Sequence, residues 1–134
     1  MPERVFVDSN VFMYAAGAEH PLKGPSLTFL RRATVGEVQA VTSVEVLQEI
    51  LHRYRRLDLP DVAATVYDLA VQICVEVLPV TIAETDVAVS LLAGSGGSVR
   101  DAIHAAVMRN AGIEGIATFD VGFDQLGVRR VDVG

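Results

Sequence analysis

The sequence predicts an α/β fold with a central, mostly parallel sheet of four or five strands and helices on both faces. Short apolar runs alternate along the chain with segments of helical spacing, which favours a parallel sheet covered by helices. The composition agrees, because 51% of the residues are hydrophobic and many are Val or Ala, as in buried parallel strands. A length of 134 residues suits one core, so we expect a single domain over residues 1–134.

The predicted strands are separated by helical segments. We expect strands over residues 4–8, 38–42, 75–80 and 115–119, with a short edge strand over 128–133. We expect helices over residues 9–16, 22–33, 43–56, 60–74, 82–93 and 99–110, with a turn or short helix over 122–127. In the third helix, the apolar spacing of Val44, Leu47, Leu51 and Tyr54 predicts the buried stripe, with Val46 and Ile50 beside it.

The charge limits the class of function. A formal net charge of −6 argues against a protein that coats nucleic acid, which would be basic. It does not exclude a nuclease, because basic residues can cluster locally. All the basic residues except Lys23 are Arg, and Arg53, Arg55 and Arg56 crowd one predicted helix end, where their planar guanidinium groups suit phosphate.

We expect a cytoplasmic protein that does not span a membrane. The most apolar stretch, residues 69–83, is broken by polar residues and a proline and is shorter than the ~20 residues of a membrane helix. The single Cys74 cannot form an internal disulfide and is interpreted as a small buried residue on a helix, which fits a reducing compartment.

Four acidic residues lie where predicted strands give way to helices. Asp8 and Asp120 each end an apolar strand, Asp101 falls in the first turn of a helix, and Glu49 lies within two turns of the start of another. Because ligands bind outside the carboxyl ends of parallel strands, we expect these carboxylates to share one crevice.

Each carboxylate taken alone has a structural explanation. Asp8 can cap a helix, Glu49 can pair with Arg53 four residues later, Asp101 can complete a capping box, and Asp120 can end a turn. Together they repel, since two carboxylates ~4 Å apart cost about 4 kcal/mol at an effective dielectric near 20. Protons or a divalent cation must compensate, and a site of oxygen ligands without Cys or His favours Mg²⁺ or Mn²⁺.

The chain resembles the PIN-domain ribonucleases, of the kind found as toxins in VapBC toxin–antitoxin pairs. Four segments carry the resemblance over nearly the whole length, and each contains one of the acidic residues: V-D-S-N-V at 7–11, T-S-V-E-V-L-Q-E-I at 42–50, R-D-A-I-H-A-A at 100–106 and T-F-D-V-G-F at 118–123.

The resemblance implies a PIN-like domain that hydrolyses RNA phosphodiester bonds endonucleolytically. It implies that Asp8, Glu49, Asp101 and Asp120 bind one or two Mg²⁺ or Mn²⁺ ions. It assigns supporting roles to Asn10, to Ser43 or Thr42, and to Thr118. It also implies an RNA substrate, an antitoxin protein as a partner, and a homodimer.

Several further residues are weaker candidates. Arg100, Arg53 and Arg56 are candidates for RNA binding, although a solvated basic face is the simpler interpretation. We expect Asp124 to have a turn role, Glu45 to face solvent or a neighbouring Arg, and His104 to be a partly buried histidine with its hydrogen bonds satisfied.

Two alternative functions are left open by the residues. An aspartate-based phosphatase or a receiver domain also places an acidic residue after its first strand. The phosphatase needs a second Asp two residues later, where this chain has Asn10, and both need a Lys at a later strand end, whereas the only Lys is Lys23. The other alternative is a non-catalytic binding module of the PIN type.

Overall fold

The fold is an alternating α/β arrangement, seen in a computed structural model that describes residues 1–134, except for the side chain of Ser95. The strands are β1 (Glu3–Val7), β2 (Val38–Ser43), β3 (Glu76–Leu78), β4 (Gly115–Ala117) and β5 (Arg129–Arg130). The helices are α1 (Ser9–Ala16), α2 (Lys23–Thr34), α3 (Val44–Arg56), α4 (Pro60–Ile73), α5 (Ile82–Ser95) and α6 (Val99–Ala111), and a 3₁₀ helix spans Val121–Leu126.

The five strands form one sheet in the order β3-β2-β1-β4-β5, and every neighbouring pair is parallel. The chain builds outward from β1 to β2 and β3, and then returns to the other side of β1 to add β4 and β5. The strand order therefore reverses between β1 and β4. In open parallel sheets, the crevice beyond the carboxyl ends of such a pair is where ligands bind.

The centre of the sheet is covered on both faces. Successive side chains of a strand point to opposite faces, and Val5, Phe6 and Val7 of β1 are all at most 1% exposed. Helices therefore lie on both sides of β1, as predicted. At the edges the pattern changes, because Arg129 and Arg130 of β5 are exposed.

The edge strands are shorter than predicted. β3 spans three residues, not six, and Pro79 follows it without an N–H to donate to the ladder. β5 spans two residues, although the backbone N–H of Val131 still donates to the carbonyl of Ile116 at 2.9 Å. Apolar residues predict strand character well, but at a sheet edge only one neighbour is available to form hydrogen bonds.

The buried stripe of α3 differs from the prediction at two of its four positions. Val44 and Leu51 are 46% and 45% exposed, whereas Ile50 is completely buried. The buried face consists of Val46, Leu47, Ile50 and Tyr54. Both stripes have helical spacing and apolar residues, so periodicity identified the helix but could not choose between two faces about 100° apart.

No helix among the residues with described side chains is both long and apolar enough to cross a membrane. Cys74 ends α4 and is buried, and this burial raises the pKa of its thiol to about 12. The thiol is therefore neutral and acts as a small apolar group.

Truncation of the neighbouring apolar residues Ile50 and Leu51 of α3 should lower stability by different amounts. Ile50→Ala leaves a cavity in the core and should cost about 2–5 kcal/mol of unfolding free energy. Leu51→Ala, at an exposed site, should cost less than about 1 kcal/mol. Urea denaturation followed by circular dichroism measures both. Equal losses would show that the assigned face of α3 is wrong.

Candidate active site

Asp8 is the centre of the site and lies directly after β1. Its backbone N–H donates to the carbonyl of Ala117 in β4 at 3.0 Å, which holds the residue at the reversal point of the sheet. Its extended backbone makes it the N-cap of α1, and its Oδ1 accepts the backbone N–H of Ser9 at 2.7 Å. Asp8 rather than Ser9 therefore caps α1, and its side chain is fixed by the start of that helix.

A hydroxyl and an amide hold the second oxygen of Asp8. Thr118 Oγ1 donates to Asp8 Oδ2 at 2.7 Å and accepts the backbone N–H of Asp120 at 3.0 Å. Asn10 Nδ2 donates to the same threonine hydroxyl at 3.2 Å, and Asn10 Oδ1 accepts the backbone N–H of Phe119 at 3.4 Å. The structure thus brings Asn10 and Thr118 to Asp8, and it links the ends of β1 and β4 through side chains.

Glu49 reaches the same place from α3, and His104 reaches it from α6. His104 Nε2 lies 2.7 Å from Glu49 Oε1 and 3.8 Å from Asp8 Oδ1. One ligand atom from each of these three residues lies within 4.8 Å of the other two. Arg100 approaches from outside, with its Nη1 3.6 Å from Glu49 Oε2. Glu49 is therefore a site residue, not the partner of Arg53 in a surface pair.

Asp101 and Asp120 form a second acidic pair beside this group. Ser98 caps α6 by accepting the N–H of Asp101 at 3.1 Å, which fixes the first turn of the helix. Asp120 Oδ1 accepts the N–H of Gly122 at 2.8 Å. A Cβ at position 122 would lie 3.0 Å from Asp120 Oδ1 and 3.4 Å from Asp101 Oδ2, so both carboxylates crowd against this glycine.

Burial and mutual repulsion shift the titration of the acidic groups. Burial, then the negative charge of Asp120 and a hydrogen bond with it, and the charge of Asp8 raise the pKa of Asp101 to about 6. Burial also raises the pKa of Asp8, although the charge of His104 and the hydrogen bond from Thr118 oppose the shift. Without a cation, the site therefore retains protons at pH values where exposed carboxylates have lost theirs.

His104 responds to the same field. Its complete burial acts to lower the pKa of the imidazole, but the hydrogen bond to Glu49 and the charges of Asp8, Glu49 and Asp101 outweigh burial and raise the pKa. The ring lies between Phe6 and Phe123, at centroid distances of 5.5 and 6.2 Å. Its Nδ1 is buried and lacks a hydrogen-bond partner among the described groups. The expectation of a partly buried, satisfied histidine is therefore wrong.

The other candidates are placed as follows. Glu45 is half-buried, and burial followed by the charge of Glu49 raises the pKa of its carboxyl, so it lies at the margin of the acidic group rather than in open solvent. Asp124 binds Arg130 in a two-point ion pair at 2.9 and 3.2 Å.

The hydroxyl of Ser43 caps α3 by accepting the N–H of Val46 at 3.5 Å, and that of Thr42 donates to the carbonyl of Val7 at 3.0 Å.

The ligand chemistry of this group fits a divalent cation. Asp8, Glu49 and His104 converge from three segments far apart in the sequence, and Asp101 and Asp120 add two mutually repelling carboxylates. The expectation that the site lacks histidine is wrong, because His104 Nε2 belongs to the most compact set of possible ligands. A nitrogen donor among carboxylates suits Mn²⁺ at least as well as Mg²⁺.

Sequence comparison agrees with this geometry. The family model described as "PIN domain" matches residues 5–128, which include all five groups of the site. The chain belongs to the PIN-domain family. Ribonuclease VapC13 of Mycobacterium tuberculosis is 38% identical over 129 residues, which are 95% of this chain and 98% of that protein. Within the PIN-domain family, the chain is thus related to the VapC ribonucleases.

Solved PIN-domain structures share the fold. The crystal structure of Mycobacterium tuberculosis VapC20, described as a sarcin-ricin loop cleaving toxin, superposes with a TM-score of 0.79 at 24% identity, over 96% of this chain and 98% of that one. VapBC2 from Rickettsia felis, bound to a DNA fragment from its promoter, gives a TM-score of 0.74 at 16% identity over 96% and 97% of the two chains. Membership of the PIN-domain family excludes the phosphatase and receiver-domain alternatives.

His104 is the site residue that the sequence undervalued. Its only local signal is the position three residues after Asp101, which places both side chains on one face of α6. An apolar helix face also predicts an ordinary core histidine. The contact that distinguishes the two is with Glu49, 55 residues away in the sequence.

The stability of the metal-free protein should respond to pH through Asp101. The folded pKa of Asp101 is raised from 3.8 to about 6, so the stabilisation from its bound proton is present below the lower value and is lost as pH rises through the upper one. We expect Asp101→Asn to gain stability relative to wild type as pH rises from about 4 to 8 in EDTA. Thermal unfolding across this range measures the difference, and a constant difference would contradict the account.

Removing His104 should leave buried negative charge uncompensated. His104→Leu should therefore cost about 3 kcal/mol of unfolding free energy in the absence of metal. His52→Leu replaces an exposed histidine of α3 and should change stability by less than about 0.5 kcal/mol. Chemical denaturation of both variants provides the comparison. A His104→Leu protein as stable as His52→Leu would mean that the histidine does not balance the carboxylates.

Proposed function

We propose that this PIN-domain protein is a divalent-metal-dependent endoribonuclease and the toxin of a VapBC toxin–antitoxin pair. One observation carries the proposal: Asp8, Glu49 and His104 converge within 4.8 Å beyond the carboxyl end of β1. The acidic pair of Asp101 and Asp120 lies beside them. The relationship to ribonuclease VapC13 over almost the whole chain supports hydrolysis of RNA as the reaction.

The four carboxylates would hold one or two Mg²⁺ or Mn²⁺ ions, with His104 beside them. When bound, a divalent cation supplies Lewis-acid stabilisation of the phosphate charge and lowers the pKa of water. The raised pKa of Asp101 supports this role, since groups that repel each other in the metal-free site gain most from a cation.

The residues around the carboxylates act by fixing their positions. Ser9 and Thr118 donate to the two oxygens of Asp8, at 2.7 Å each, so the carboxylate cannot rotate freely. Asn10 fixes Thr118 in turn, and His104 fixes Glu49. A bound cation would therefore meet ligands that are already oriented, which lowers the reorganisation needed to present it to a substrate phosphate. Ser43 and Thr42 act more remotely, by fixing the start of α3 and the end of β2 against β1.

The biological setting that we propose follows the family. VapBC2 of Rickettsia felis, which shares the fold, was solved bound to a DNA fragment from its promoter. We propose a cognate antitoxin as the protein partner of this chain. We also propose a homodimer in the cytoplasm. Large apolar side chains on the surface of α5 and α6, including Ile82, Val89 and Val99 at 76%, 67% and 61% exposure, provide apolar area for protein contacts.

Cleavage should depend on the site carboxylates and not on acidity nearby. Asp8→Asn and Asp101→Asn should each lower RNA cleavage at least ~100-fold in the presence of Mn²⁺, because each removes a ligand charge. Asp124→Asn is the matched control, because its carboxylate follows Asp120 by four residues but pairs with Arg130. It should retain activity within about threefold. Gel analysis of a labelled structured RNA, with and without EDTA, gives the rates.

Three outcomes would contradict the proposal. Cleavage that persists in EDTA would show that no metal is required, and cleavage that persists in Asp8→Asn would show that the assigned site is wrong. Binding of Mn²⁺ by a wild-type protein that cleaves no RNA would favour a non-catalytic binding module.

A further inference from the structure

A cavity with arginine-rich walls adjoins the acidic site. It has a volume of about 460 Å³, and Glu49 and Glu45 line the side that meets the acidic site. Its basic lining comes from Arg53 and Arg56 at the end of α3, Arg100 at the start of α6, and the neighbouring His52. The volume lies within the ~300–1,000 Å³ of ordinary ligand sites.

The helical spacing explains why only some of the arginines face this cavity. Residues 49, 53 and 56 are four and three positions apart, so they lie on one face of α3. Arg55 is two positions from Arg53 and points away from that face. It lines a different cavity, with Leu51, Asp58 and Pro60. The cluster of three arginines in the sequence is therefore two separate features in the structure.

Two of the cavity arginines are available for an anion. Glu49 is within ion-pair distance of Arg100 and His104, and its expected pairing with Arg53 is not formed. Among the residues with described side chains, Arg53 and Arg56 have no carboxylate within 4.0 Å. Their position at the carboxyl end of α3 favours positive charge there, but this holds equally for Arg55 and does not explain the shared cavity.

We propose that this cavity is a subsite for a backbone phosphate of the RNA, next to the phosphate at the carboxylates. The inference rests on the proposed ribonuclease function. Arg53 and Arg56 contact the phosphate, and Arg100, between the cavity and Glu49, joins the subsite to the acidic site. Arginine suits this role, because its planar fork donates two parallel hydrogen bonds to phosphate oxygens.

The overall charge of the chain makes such a subsite necessary. A protein with a formal net charge of −6 repels RNA at long range, and its catalytic carboxylates repel it at short range. A bound cation offsets the repulsion only at the acidic site. Local positive charge next to the site is therefore required to hold the strand in register.

A second cavity adjoins the proposed phosphate subsite. It has a volume of about 410 Å³ and shares Met13 and Arg53 with the first, so Arg53 stands where the two meet. The second cavity also reaches Asn10, which is hydrogen-bonded to the hydroxyl that holds Asp8, and Tyr14. An aromatic and apolar lining beside a guanidinium suits the sugar and base of a nucleotide whose phosphate is bound by Arg53.

The test measures binding separately from cleavage. Fluorescence anisotropy with a fluorescein-labelled single-stranded RNA of mixed sequence is measured on the Asp8→Asn protein, which should not cut the probe. In this background, the double change Arg53→Gln and Arg56→Gln should weaken binding about tenfold. The slope of log affinity against log salt should fall by about 0.7 for each phosphate that the variant no longer binds.

Arg55→Gln is the control for each single change, since it removes one positive charge from the same exposed helix end but from the other cavity. It should change the affinity less than about twofold. If the affinity of the double variant falls by no more than twice the reduction seen in Arg55→Gln, or if the salt slope stays the same, the subsite is wrong. If RNA binding is unchanged while binding of an acidic peptide weakens, the cavity belongs to a protein partner and the proposal is again overturned.

A parallel assay separates this failure from that of the ribonuclease function. The Arg53→Gln and Arg56→Gln changes in the otherwise wild-type protein should raise KM for RNA more than they lower kcat. Metal-dependent cleavage by wild type with an unchanged KM in the double variant would overturn only the subsite. Absence of cleavage by wild type, with no RNA binding, would overturn both.

Discussion

The repulsion among buried carboxylates is the constraint on which the rest of the site depends. Asp8 is 5% exposed and feels the negative charge of Glu49, and Asp101 feels the charges of Asp120 and Asp8. Such a cluster costs stability unless something positive balances it. His104 and Arg100 supply part of the balance from within the protein, and protons supply more, as the pKa of Asp101 at about 6 indicates.

The sheet makes this arrangement possible. The strand order reverses between β1 and β4, so Asp8 and Thr118, which follow these two strands, meet beyond their carboxyl ends. Hydrogen bonds from Ser9 and Thr118 then lock the Asp8 carboxylate that burial would otherwise disfavour, and Asn10 holds the Thr118 hydroxyl in place. The sign of the charge changes outside this centre. The carboxylates lie at the centre, and the arginine-lined cavity places positive charge where an anionic strand would approach.

Structural features that depend on consecutive residues could be predicted from the sequence, and features that depend on contacts between distant residues could not. The strand ends at Asp8 and Asp120 were found because each carboxylate follows an apolar run directly. The choice between Ile50 and Leu51 as buried residue depends on which side of α3 meets the sheet, and both stripes satisfy helical spacing. The sequence could not distinguish His104 from a core histidine, because its role depends on the 2.7 Å contact between its Nε2 and Glu49 Oε1.

The most direct measurement of the central claim is the number of protons released when Mn²⁺ binds. Titration calorimetry at about pH 6, in two buffers of different ionisation enthalpy, gives this number, because metal ligands must lose their protons to bind. A site in which Asp101, with a pKa of about 6, holds a proton for lack of a cation should release at least about half a proton at this pH and fewer at about pH 8. Absence of Mn²⁺ binding, or binding without proton release at either pH, would contradict the account.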